Sequence, residues 1–260
     1  MAAQTFPIRP QPAVEDPALE LKFCIAAIPA ALLLGVLFHV ATPFLQRTFL
    51  GMPVHELGHA VSAWFTGHWA IPTLWKTLNG EERGFVMPLV LLGAIGWMMS
   101  RALREGDRAL LVLGAALIGL QAWGTLFISA RSADALIVFG GDGIGMVLAT
   151  ALMCSFFFGK QTQLYKGSLR WGFLAIGAGA FVDMFSVWWA ARRDFGRIPF
   201  GEQESAGASD ALRLVDGFGW ATEVMVHRYV ALGVSCLVAL AAVYAWGVWQ
   251  ARRALFEEPE

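Results

Sequence analysis

The stretch Thr48–Phe65, TFLGMPVHELGHAVSAWF, decides how the rest of the chain is read. It is apolar at both ends, and as a helix rising about 1.5 Å per residue it is about 27 Å long, close to the thickness of a bilayer core of about 30 Å. Its centre carries His55, Glu56 and His59. An ionisable group at that depth costs a few kcal/mol or more unless it faces a polar cavity or a partner, so such groups mark function.

Composition puts this stretch in a membrane. Of 260 residues, 57% are hydrophobic and only 15% charged, against roughly a quarter charged in a soluble domain. Six further apolar runs appear between charged punctuation, at about Phe23–Val40, Gly84–Met99, Ala109–Ala130, Ala135–Phe158, Trp171–Ala191 and Tyr229–Trp249. The expected fold is an all-α polytopic membrane protein of about six to seven transmembrane helices with a short membrane-proximal β-hairpin. Residues 1–21 read as a disordered, Pro-rich tail. Residues 22–250 read as a single transmembrane domain that includes an extramembrane loop at 192–228, and 251–260 as a charged tail. A net charge of -1, from 19 basic and 20 acidic residues with no basic run, excludes a nucleic-acid partner. Cys24, Cys154 and Cys236 lie inside apolar runs and suggest neither a disulfide framework nor a zinc knuckle. The preference for Arg over Lys among the basic residues fits a bacterial chain, and the expected location is the bacterial cytoplasmic membrane.

His55-Glu56-Leu57-Gly58-His59 is an HExxH arrangement. On a helix the two histidines project from one face, one turn apart, so both imidazoles can hold a single Zn²⁺ while Glu56 reaches a water at the open coordination position. At this chain's own frequencies a chance match is expected only about 0.004 times. The structural alternative is a hydrogen-bonded polar cluster. That alternative is the better reading of His39, near the end of the first run.

Gly51-Met52-Pro53-Val54-His55-Glu56-Leu57-Gly58-His59-Ala60-Val61 resembles the active-site helix of the site-2 proteases, the M50 class of intramembrane zinc metalloproteases. The resemblance implies a third zinc ligand from an Asp-Gly motif on a later transmembrane helix, and Gly140-Gly141-Asp142-Gly143 offers Asp142. Asp142 and His55 each lie about 11 Å along their apolar runs, so their depths agree. A Gly-rich packing seam is the structural alternative. Asp183 in mid-run ranks second as third ligand. His227, spaced i, i+4 from Glu223, ranks third, and those two read better as a solvated pair.

Between His68 and Arg83, Asn79-Gly80 is a hairpin-turn signal, Trp69 and Trp75 suit a membrane interface, and Pro72 suits an edge strand. A hairpin here resembles the family's substrate-holding edge, which makes Trp69, Ile71 and Thr73 the substrate-contact candidates. A plain interfacial loop is the alternative.

The resemblance implies a membrane-embedded zinc metalloprotease that cuts peptide bonds in or near transmembrane segments of membrane proteins, with Glu56 moving protons and His55, His59 and Asp142 holding Zn²⁺. The rival is a non-proteolytic metal-binding membrane protein, either a transporter or an inactive protease homologue. Glu56 weighs against it, because a transporter has no use for a non-ligand Glu beside the first His.

Overall fold

The computed structural model describes residues 16–158, 169–203 and 207–256. Most of the expected Pro-rich tail lies outside them. From Pro17 the chain is helical, since Asp16 caps the first turn by accepting from the Ala18 amide and Pro17 needs no amide partner there.

The helices are α1 (Pro17–Ala41), α2 (Pro43–Gln46), α3 (Met52–Phe65), α4 (Val86–Glu105), α5 (Arg108–Ala122), α6 (Ala130–Cys154), α7 (Leu169–Ala191), a single turn α8 (Asp210–Leu212) and α9 (Thr222–Arg253). Wider π-helical turns run on from α2, α5 and α8. The described residues also form two small antiparallel sheets: β1 (Ala70–Pro72) with β2 (Thr77–Asn79), and β3 (Glu202–Gln203) with β4 (Gly207–Ala208). Six of these helical stretches, all but the ones carrying α2, α3 and α8, are long and apolar enough to cross a membrane. The chain is therefore an all-α polytopic membrane protein. Its exterior carries the apolar load: Leu33, Leu34, Leu37 and Val40 on α1 and Val112 and Leu113 on α5 are exposed, while Asp142, Asp183 and His55 are buried. That inversion of a soluble protein's distribution is what lipid demands.

Contacts fix the helix directions around the site. Asp142 meets Trp188 while Gly177 lies against Ala149, so α6 and α7 are antiparallel. His55 meets Asp142 and His59 meets Ile137, so α3 and α6 are antiparallel. Glu20 meets Arg170 while Gly35 lies against Ala178, so α1 runs parallel to α7. Consecutive α1 and α3 thus run in the same sense, which two successive full crossings cannot do. The motif helix α3 runs on from α2 through the π-helical turn as one helical stretch from Pro43 to Phe65, and this stretch is not one of the six candidate crossings.

The core sits where α6, α7 and α9 meet, around Met146, Met153, Met184, Trp188, Leu214 and Tyr229. Against it, α3 packs on α6 through glycine. A Cβ on Gly58 would collide with the carbonyl oxygens of Gly140 and Gly141, so the two backbones touch directly. Near the end of α1 remote from the site, Arg170 donates two bonds to the Glu20 carboxylate at 2.9 and 3.1 Å, a paired burial of charge that ties α1 to α7.

Candidate metal centre

The close approach of α3 and α6 positions the two histidines. His59 Nδ1 lies 2.7 Å from the Ile137 carbonyl oxygen, and His55 Nδ1 lies 2.8 Å from Asp142 Oδ1. Both partners accept, so each imidazole carries its proton on Nδ1 and turns the bare Nε2 inward. The two Nε2 atoms stand 3.1 Å apart.

The third atom comes from outside the apolar runs. Asp210 Oδ2 lies 3.0 Å from His59 Nε2 and 3.2 Å from His55 Nε2. Among the described residues, His55, His59 and Asp210 form the group able to share a metal ion. Three ligands of a tetrahedral Zn²⁺ with bonds of about 2.0 Å lie about 3.3 Å apart, so the observed triangle needs little adjustment. The donor set fits as well: two imidazole lone pairs and a carboxylate oxygen face one point with no hydrogen between them, an arrangement that calls for a cation or for protons.

Asp142, the carboxylate expected beside the two histidines, stands elsewhere in the structure. Asp142 does not reach the Nε2 point; it lies behind His55. Its Oδ1 meets His55 Nδ1 and, at 3.4 Å, Arg47 Nη1, while its Oδ2 accepts from Trp188 Nε1 at 2.8 Å. Asp142 lies level with His55, but its side chain meets the outer nitrogen of the ring. Asp183 is farther out, accepting from Arg47 at 3.0 Å. Glu223 and His227 are exposed and take no part, and His39 lies 4.0 Å from Asp183.

Sequence reasoning missed Asp210, which sits in a polar stretch remote from the motif. The available signal was local: Ser209 caps α8 by accepting from the Leu212 amide, and Asp210 follows it in the first turn. If Asp142 only orients His55, Asp142→Asn is expected to weaken zinc binding by roughly 10- to 100-fold without unfolding the protein. Competition against a chromophoric chelator in detergent measures this.

Glu56 is buried, and its Oε2 accepts from Thr77 Oγ1 at 2.8 Å. It borders, with His55, His59, Asp142 and Asp210, a cavity of about 500 Å³. Pro199, Phe200 and Arg213 also line it.

The hairpin forms as expected but turns elsewhere. Its turn is Thr73–Lys76, closed by the Thr73 amide on the Lys76 carbonyl at 3.1 Å and the Thr73 hydroxyl on the same oxygen at 2.6 Å. Asn79 pairs with Ala70, and the Gly80 amide extends the ladder to the Trp69 carbonyl at 3.0 Å. The early turn brings Trp75, Lys76, Thr77 and Asn79 to the cavity; the expected contacts Trp69, Ile71 and Thr73 do not line it. In this register the amides and carbonyls of Thr77 and Asn79 point away from β1, and among the described residues they make no other backbone bond.

No protein-family profile matches the chain, and neither a curated protein nor a solved structure does.

Proposed function

We propose that the protein is a membrane-embedded zinc endopeptidase that hydrolyses peptide bonds in or near transmembrane segments of other membrane proteins, and that it works in a bacterial cytoplasmic membrane. The observation that carries the reading is the triangle of His55 Nε2, His59 Nε2 and Asp210 Oδ2, with edges of 3.0 to 3.2 Å, beside the buried, non-ligating Glu56. The likeness of Gly51–Val61 to the site-2 protease helix supports the same chemistry.

His55, His59 and Asp210 would hold the zinc, whose bound form supplies Lewis acidity toward water and a peptide carbonyl. Asp142 and the Ile137 carbonyl hold the imidazoles with Nε2 forward. Glu56 takes a proton from the attacking water and delivers it to the leaving amine. The free edge of β2 lies along the cavity, so an extended peptide can pair with Thr77 and Asn79 by strand addition. Such pairing selects an unwound segment over a helix, whose backbone groups are already satisfied.

The test is cleavage of a panel of single-span substrates carrying helix-breaking pairs by the purified protein in detergent. 1,10-Phenanthroline is expected to abolish cleavage, and stoichiometric Zn²⁺ to restore it. Retained zinc with no cleavage across the panel returns the chain to the non-proteolytic reading.

A further inference from the structure

We propose that Thr77 is a positioning residue that holds the Glu56 carboxylate in place and couples it to the strand on which an extended peptide seats. The proposal rests on the hydrolytic reading above and names a residue that neither the HExxH motif nor the metal triangle includes.

The Thr77 hydroxyl lies 2.8 Å from Glu56 Oε2 and 2.7 Å from the Glu56 carbonyl oxygen. Among the described residues no other side chain hydrogen-bonds the Glu56 carboxylate. A glutamate side chain otherwise has three free torsions, and a donor on a neighbouring strand restricts them. The donor's own backbone makes the second link. Thr77 lies on β2 with its amide and carbonyl directed away from β1, beside the cavity. A peptide strand added to that edge would therefore bond to the same residue whose side chain anchors the base. Seating the substrate would pin Thr77, and pinning Thr77 would fix Glu56. Two other donors on the cavity wall are taken up elsewhere. Arg47 is engaged by Asp142 and Asp183, and the Trp188 N–H by Asp142.

Thr77→Val removes the hydroxyl and keeps the shape, whereas Thr77→Ser keeps the donor. Displacement of a reacting group by about 1 Å costs up to about 100-fold. In the single-span panel, Thr77→Val is expected to lower kcat by about 10- to 100-fold, with KM changed by less than about threefold. Thr77→Ser is expected to stay within about threefold of wild type, and all variants to keep wild-type zinc content and melting temperature. Thr77→Ala repeats the test should the valine variant fail to fold, and is expected to behave as valine does. An unchanged kcat in a folded hydroxyl-free variant overturns the proposal. So does a rise in KM alone, which would confine Thr77 to holding substrate, and so does a loss of zinc in both hydroxyl-free variants. A wild type that cuts nothing in the panel while retaining zinc overturns the hydrolytic reading itself and the proposal with it.

Discussion

Asp210→Ala is expected to lower zinc affinity by more than about 100-fold, beyond the range found when a residue that merely orients a ligand is changed. The substitution removes Oδ2, the atom 3.0 and 3.2 Å from the two Nε2 atoms, and leaves two imidazoles that cannot hold the ion alone at comparable strength. Stability in the metal-free form should change little, because Asp210 is only partly buried and α8 is a single turn outside the core helices. Chelator competition on wild type, Asp210→Ala and Asp142→Asn separates the two carboxylates. If Asp142→Asn proves the more damaging of the pair, the triangle does not describe the metal-bound state and Asp142 is the ligand after all.

Glu56→Gln is expected to cut turnover by roughly 10² to 10⁴ while zinc content and folding survive. The amide keeps the length of the side chain and an oxygen able to accept from Thr77 Oγ1, so the anchor persists and the proton acceptor does not. His55→Ala, by contrast, is expected to lose metal and activity together. Measuring zinc and cleavage on both variants checks the separation. A Glu56→Gln protein that cuts as fast as wild type removes Glu56 from the chemistry.

The periodicity of local runs was enough to place most of the helices, because a helix's apolar load is written in consecutive residues. It was also enough to pair His55 and His59, whose geometry depends on one helical turn. Contacts between distant segments were less legible. Asp210 meets His59 from a distant part of the sequence, and no spacing in the chain encodes that meeting. Asp142 was placed at the right depth, but depth does not say which ring nitrogen a carboxylate meets; the close α3–α6 contact, set by Gly58, Gly140 and Gly141, decides that. The hairpin shows the limit of turn signals. Asn79-Gly80 has the chemistry of a two-residue turn, yet the Thr73 side chain closes the chain on Lys76 first. Gly80 is then needed for another reason: the Trp69 indole occupies the place where its Cβ would stand.

Gly141 ties the history of one position to its neighbours. A Cβ built there would lie 2.6 Å from His59 Nε2 and 2.5 Å from His55 Cε1, within the space that the two rings need to converge. Alanine is the better helix former by about 1 kcal/mol, but forcing extra volume into a filled core costs about 1 to 3 kcal/mol. While both rings are present, folding itself therefore holds this position to glycine. A lineage that replaced His55 and His59 by smaller side chains would remove the collision, so this glycine would be expected to drift only after its histidines had gone.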